Sequence, residues 1–277
     1  MMPTDQTRAI LDWHVMAGVD ETLADAPVDG FAAVPAPVPN PAPPSAMHDS
    51  QRTTPPAGRP AAASSPEAPP SGDEAVKSAV QLAAAAASFE DLHKALETFD
   101  GCALKRTATN LVFTDGNPKG RVLLIGEAPG AEEDRQGTPF VGPSGRLLDK
   151  MLGAIGLDRT DVLISNTVFW RPPGNRTPTP LEAAACLPFV ERMVELMEPA
   201  VIVPLGGPAA KSLLAQTMGI GKLRGRWFSY TTPKISHPID ATPLFHPAYL
   251  LRTPAQKRAA WRDLLMIKHR LADKPSH

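Results

Sequence analysis

The sequence has only two cysteines among its 277 residues, and no hydrophobic run is long enough to cross a bilayer. Cys102 and Cys186 lie far apart, so they provide neither a disulfide framework nor the spacing of a zinc site. The first residues also lack the basic start and apolar core of a signal peptide. We therefore expect a cytoplasmic protein with reduced thiols and no membrane partner.

The sequence also lacks an excess of positive or negative charge, with a formal net charge of −1. This balance does not exclude a nucleic acid, since a local basic surface is enough to engage phosphates. The dinucleotide fingerprint G-x-G-x-x-G is absent, and a proline interrupts the glycine turn at residues 126–130. A Rossmann-type nucleotide-binding oxidoreductase is thus an alternative that lacks its expected motif.

Proline is abundant, with 32 residues, and its distribution divides the chain. Residues 25–75 are rich in proline and alanine and offer little to bury, which predicts a disordered, partly polyproline linker. Residues 1–24 place Ile10 and Trp13 at roughly helical spacing, which predicts a short amphipathic helix. This helix either docks on its own catalytic domain or binds a protein partner. Residues 76–277 form the predicted catalytic domain.

The sequence of the catalytic domain predicts an α/β fold. Short apolar runs such as "RVLLIG", "DVLISN", "AVIVPLG" and "ATPLFHP" alternate with helical stretches, which predicts a parallel sheet covered on both faces. In such sheets ligands bind outside the carboxyl ends of the strands. We therefore expect one crevice to collect the side chains that follow these strands, namely Glu127, Asn166 and His246, with Phe140 on the long first loop.

Each of these residues has an ordinary structural explanation, since Asn often forms turns and a single His or Phe is usually part of the packing. Taken together, the four side chains suit a specific chemistry. An aromatic face can stack on a base, a carboxamide presents a donor and an acceptor, and an imidazole can donate to an oxygen that gains charge. Glu127 could orient water or favour positive charge on a sugar. The set is typical of a pocket for a flipped nucleobase.

Three motifs in chain order, "GEAPGAEEDRQGTPFVG", "NTVFWRPPGNR" and "FHPAYLLR", resemble those of the uracil-DNA glycosylase superfamily, most closely its family 4. The resemblance covers about residues 99–271. It implies a three-layer sandwich with a central four-stranded parallel sheet flanked by helices. It also implies an enzyme that flips uracil out of DNA and hydrolyses its N-glycosidic bond, leaving an abasic site. A uracil-DNA binding protein with slow or no turnover is the alternative within the same superfamily.

The resemblance also assigns roles to residues. It implies that Glu127 serves the hydrolytic water, that His246 lies by uracil O2, and that Phe140 stacks on the base. Asn166 would read the polar edge of uracil, and Gly126 is also expected to contact the base. Glu133 is a second candidate for handling water or for bracing the loop. The expected partner is uracil-containing DNA, single- or double-stranded, bound by a monomer associated with the nucleoid. The expected DNA contacts are Arg171, Asn175, Arg224, Tyr249, Leu250 and Arg252.

One departure from family 4 concerns its iron–sulfur cluster, which members hold on four cysteines. The corresponding positions here read Phe99, Cys102, Trp170 and Cys186. Because four thiolates are the usual requirement, we expect no cluster and no other metal or cofactor. The two aromatic side chains are expected to fill the vacated volume by apolar burial. The two cysteines are then expected to be small buried hydrophobic residues.

Overall fold

The computed structural model describes residues 72–274, which form a three-layer α/β sandwich. The predicted N-terminal helix, and the predicted linker as far as residue 71, lie outside the described residues. The first described helix begins at Gly72, within the last residues assigned to the linker. Within residues 72–274, no helix has the length and apolar character needed to span a membrane.

The described residues contain one sheet of six strands, in the order β1-β3-β2-β4-β6-β5. The four inner strands are parallel, which confirms the predicted core of the sheet. Two short strands extend it as antiparallel edges that the sequence pattern did not reveal, because runs of two or three residues carry no measurable alternation. The strands are β1 Asp115–Gly116, β2 Val122–Gly126, β3 Val162–Asn166, β4 Val201–Pro204, β5 Phe228–Tyr230 and β6 Ile239–Ala241.

Helices cover both faces of the sheet, and several begin at the caps that the sequence provides. Ser88 accepts a hydrogen bond from the Asp91 amide, and Thr179 and Glu182 form a reciprocal capping box. The helices are α1 Gly72–Ala85, α2 Phe89–Thr98, α3 Ala131–Gln136, α4 Pro143–Ala154, α5 Pro180–Met197, α6 Gly207–Leu214, α7 Ile220–Leu223, α8 Pro247–Arg252 and α9 Lys257–Asp273.

The two faces of the sheet bury separate hydrophobic clusters. Every residue of β2 and β3 is buried, as expected of central parallel strands, and alternate side chains enter opposite clusters. Leu123 and Ile125 pack toward α1, α2 and α5, whereas Val122 and Leu124 pack toward α4 and α9. This packing fixes the register in which Gly126 and Asn166 are partners. The two strands therefore end side by side.

Candidate active site

A cavity of about 920 Å³ opens where the parallel strands end. The backbone N–H of Gly206, after β4, donates to the Leu244 carbonyl, and this contact brings His246 beside the glycine turn. The cavity is lined by the side chains that the sequence placed at the strand ends, so the predicted shared crevice is present. Its lining includes Glu127, Glu133, Phe140, Asn166, Gly206 and His246.

Asn166 presents an unpaired amide to this cavity. The residue is buried, and its Nδ2 has no hydrogen-bond partner among the residues that the structure describes. Leaving such a buried donor unsatisfied costs about 1–3 kcal/mol, which a ligand with a suitable acceptor would recover. A Cβ atom at Gly126 would lie 2.4 Å from Asn166 Oδ1 and 2.8 Å from the Phe140 ring. Glycine at position 126 therefore lets the carboxamide and the ring converge.

Phe140 supplies an aromatic wall. Its ring centroid lies 5.6 Å from that of the His246 imidazole, with 31° between the ring planes. Phe140 is itself buried, and its backbone has φ of 54°, in the left-handed region. A ring held in this way beside an unpaired amide offers a planar ligand one stacking face and one polar edge.

His246 is a neutral imidazole at physiological pH. Burial and the charge of Arg252 lower its pKa to about 4, although the Glu133 carboxylate opposes this shift. His246 is also the N-cap of α8, and its Nδ1 accepts the Ala248 amide N–H at 3.1 Å. Because a neutral ring that accepts at Nδ1 carries its proton on Nε2, the remaining ring nitrogen is a donor.

Glu127 is half-buried at the end of β2. Burial raises the pKa of its carboxyl group, and a hydrogen bond with the Thr177 side chain opposes this rise. The Glu127 carbonyl accepts from the Thr167 hydroxyl at 2.7 Å, which ties the start of the loop to β3. Thr177 also lines the cavity and was missed from the sequence, although its position directly after "RPPGNR" was a usable signal.

Glu133 has the bracing contact that was one of its two predicted roles. Its buried carboxylate accepts the Gly142 amide at 2.9 Å across the loop that carries Phe140. The carboxylate also lies close enough to His246 to raise the pKa of the imidazole. A role in handling water stays a prediction.

Several predicted DNA contacts surround the mouth of the cavity. Asn175, Tyr249 and Arg252 all line it. Arg171 contacts one of these residues, because its Nε donates to Asn175 Oδ1 at 2.8 Å. Arg252 is exposed at the end of α8, so its guanidinium can reach a phosphate. Their contacts with DNA stay predictions.

One of the DNA-contact predictions, Leu250, requires correction, and a second residue, Arg224, has a protein partner. Leu250 is 1% exposed because α8 is a regular helix that turns this side chain into the core, whereas the next residue, Leu251, is 43% exposed. Arg224 lines the cavity but is engaged in an ion pair, since its Nε and Nη2 donate to Asp263 at 2.7 and 2.8 Å. This ion pair joins the residue after α7 to α9, and contact of Arg224 with a phosphate stays a prediction.

The four positions that correspond to the cluster ligands lie together in one hydrophobic cluster, and all four are buried. Phe99 packs on Phe189 with ring centroids 5.1 Å apart. A hydrogen bond between the thiols of Cys102 and Cys186, together with burial, holds the pKa of Cys186 well above its ordinary value. Residues 72–274 contain no group of three or more His, Cys, Asp or Glu side chains arranged to hold a metal ion. Two thiols packed among aromatic rings do not fit a cluster that needs four thiolates.

The fold and this site define a member of the uracil-DNA glycosylase superfamily, whose family model matches residues 113–265. The chain belongs to that superfamily. Its resemblance to family 4 is confirmed by a type-4 uracil-DNA glycosylase of Pyrobaculum aerophilum, 37% identical over 184 residues that span 65% of this chain and 92% of the relative. A type-4 enzyme of Thermotoga maritima is 43% identical over 54% of this chain and 77% of its own length. A type-5 enzyme of Thermus thermophilus is 37% identical over a shorter stretch, 36% of this chain and 52% of the relative.

Proposed function

We propose that this chain is a uracil-DNA glycosylase that flips uracil out of DNA and hydrolyses its N-glycosidic bond, leaving an abasic site. The observation that carries the proposal is the unpaired, buried Nδ2 of Asn166 beside the Phe140 ring and a neutral His246. A cavity of about 920 Å³ has ample room for a pyrimidine. The names of the type-4 relatives support the same activity.

Recognition of uracil follows from the two polar atoms of Asn166. The Nδ2 group can donate to uracil O4, and Oδ1 can accept from uracil N3–H. Cytosine has an amino donor in place of O4 and an acceptor at N3, so both contacts would be mismatched. Phe140 holds the base by stacking, which is indifferent to the identity of the base. Discrimination against cytosine therefore falls to the carboxamide.

Cleavage of the glycosidic bond leaves negative charge on uracil and positive charge on deoxyribose. The Nε2–H of His246 donates toward uracil O2, and its neutral state allows this without prior protonation of the imidazole. One preorganised donor in a dry site lowers a barrier by about 3–4 kcal/mol. His246 thus stabilises the leaving base.

Glu127 acts on the sugar side of the bond. Its carboxylate, held by the Thr177 hydrogen bond at the cavity wall, can orient a water molecule toward the anomeric carbon. The same charge favours the cationic sugar. The first carboxylate of the acidic loop after β2 is therefore matched to a water and a developing cation.

The sequence departs from the cluster-bearing members of family 4, and we propose that this chain works without an iron–sulfur cluster or other cofactor. The reaction as derived uses only side chains and water. We also propose that it acts as a cytoplasmic monomer on nucleoid DNA. The N-terminal residues 1–24 are proposed to bind a protein partner or to dock on the catalytic domain.

The test is single-turnover release of uracil from an oligonucleotide that carries one uracil, in single-stranded and duplex form. The expected result is free uracil and an abasic strand. Thymine- and cytosine-containing strands serve as controls, and hypoxanthine and xanthine define the lesion range. Tight binding of uracil DNA without release would favour the alternative of a non-catalytic binder.

A further inference from the structure

The backbone of Phe140 is in a conformation that few non-glycine residues adopt. Its φ of 54° lies in the left-handed region, which costs energy for a residue with a side chain. The residue follows Pro139 in the turn between α3 and α4. Since its ring forms a wall of the cavity, the surrounding structure must stabilise this conformation for the wall to remain in place.

The Phe140 carbonyl is held from one side by Arg159. Nη2 of this arginine donates to the Phe140 oxygen at 2.6 Å, and Nη1 donates to the Pro139 oxygen at 3.4 Å. Two carboxylates fix the guanidinium, since Nε donates to Asp149 at 2.8 Å and Nη1 pairs with Asp115. A charged, doubly anchored donor makes a stronger and more directional hydrogen bond than a neutral one.

Gly145 packs closely against the same carbonyl. A Cβ atom on Gly145 would lie 1.7 Å from the Phe140 oxygen, so the first turn of α4 packs directly against this peptide group. Glycine is required at position 145 for that approach. The Phe140 carbonyl is therefore in contact with both a helix backbone and the Arg159 guanidinium.

We propose that Arg159 is a positioning residue for base recognition, which acts through Phe140 and does not touch the base. It precedes β3 and lies outside the three sequence motifs, and it is not one of the described residues that line the cavity. The inference rests on the proposed function. Without the arginine, the ring can leave the position beside Asn166 and His246 by relaxing its backbone.

The test compares Arg159→Met with Arg192→Met. Arg192 is a matched control, because it also donates to a backbone carbonyl, that of Ala86 at 2.9 Å, and pairs with a carboxylate, Glu195 at 3.0 Å. It lies on α5, reaches the end of α1, and does not line the cavity. Arg159→Met is expected to slow single-turnover release of uracil by about tenfold or more. Arg192→Met is expected to release uracil at the parental rate.

Two further readouts separate positioning of the ring from a general loss of structure. Inhibition by free uracil should weaken in Arg159→Met, because the free base uses the same stack. Affinity for DNA with a tetrahydrofuran abasic analogue should stay parental, since that ligand has no base. Arg159→Lys, which keeps the charge near Asp115 and Asp149, should show a smaller loss of the same kind and serves if Arg159→Met fails to fold.

The combination with Phe140→Ala decides whether Arg159 acts through the ring. The double variant should release uracil no more slowly than Phe140→Ala alone, because the arginine has nothing left to position. Independent, multiplicative losses would overturn the proposal, as would a fully active Arg159→Met protein. A parental chain that releases no uracil would instead contradict the proposed function, and the inference would fall with it.

Discussion

Glu127 and His246 line the same cavity, and burial shifts the pKa of each group in the direction that favours its neutral form. It raises the pKa of the carboxyl group and lowers that of the imidazole to about 4. The consequences for catalysis differ. A neutral imidazole is the donor that the reaction requires, whereas a protonated Glu127 could neither orient water as a base nor stabilise a cation.

Replacement of Glu127 by glutamine keeps its shape and removes its charge. Glu127→Gln should still bind uracil DNA but release uracil slower by about two orders of magnitude or more. The parental rate should fall on acidification, with a midpoint above the ordinary glutamate pKa of 4.5, and the variant should lack this limb. Single-turnover release from about pH 4 to about pH 8 measures both effects. Near-parental release with reduced thermal stability would return Glu127 to a structural role.

His246 also links stability to pH. Its folded-state pKa of about 4 is below the ordinary value of 6.5, so folding favours the neutral ring. This contribution is fully present above pH 6.5 and is lost as the pH falls toward 4. The unfolding free energy of the parental protein should therefore fall more steeply over that range than that of His246→Gln. Denaturant titrations at several pH values measure the difference, and parallel curves would contradict the assignment.

The unpaired amide of Asn166 predicts loss of both discrimination and rate. Asn166→Ala removes the contacts with the base edge and should cost about 1–3 kcal/mol of transition-state stabilisation, with less preference for uracil over cytosine. Asn117→Ala is a control, since the Asn117 amide donates to the Thr160 carbonyl away from the cavity lining. Single-turnover release from uracil and cytosine strands is the measurement. If Asn166→Ala released uracil at the parental rate and with the parental preference, the end of β3 would not contribute to the base pocket.

At the scale of elements, α8 presents different residues to the core and to the cavity mouth. Leu250 is buried, Leu251 is 43% exposed, and Tyr249 lines the mouth. If α8 enters the DNA groove, Leu251→Ala should slow release from duplex DNA more than from a single strand and leave stability unchanged. Leu250→Ala should instead cost about 2–5 kcal/mol of unfolding free energy. Kinetics on both substrates and thermal melts distinguish the two leucines, and equal losses on both substrates would exclude a wedge at Leu251.

Much of this arrangement was accessible from the sequence, because strand ends in a parallel sheet converge whatever the details of packing. Alternation of apolar runs and helices was enough to bring Glu127, Asn166 and His246 to one cavity. The inward turn of Leu250 and the ion pair of Arg224 were not accessible, since both depend on how α8 and α9 pack. The Arg159 contact with Phe140 joins two segments whose proximity has no local signature.

At the scale of the whole molecule, the hydrophobic cluster on one face of the sheet contains the four positions that the resemblance to family 4 assigned to cluster ligands. Phe99 ends α2, Trp170 precedes the "RPPGNR" loop, and Cys186 lies within α5. These segments are joined by ring packing on α5, with Phe99 on Phe189 and Phe169, the neighbour of Trp170, edge-on to Phe189 at 6.4 Å. The loop also contains Thr177, whose side chain forms a hydrogen bond with Glu127. This packing therefore stabilises a segment that contributes to the active site.

The last prediction is that these rings take the structural place of a cluster. Purified protein should be colourless, contain no stoichiometric iron and melt at the same temperature with or without a chelator. Trp170→Ala should cost about 3–5 kcal/mol of unfolding free energy, because it empties a fully packed site, whereas Trp261→Ala, at a tryptophan 41% exposed, should cost much less. Iron analysis, visible absorbance and thermal melts test the three statements. A brown protein absorbing near about 400 nm would show that two thiols recruit a cluster with other ligands, and the aromatic packing would then need another explanation.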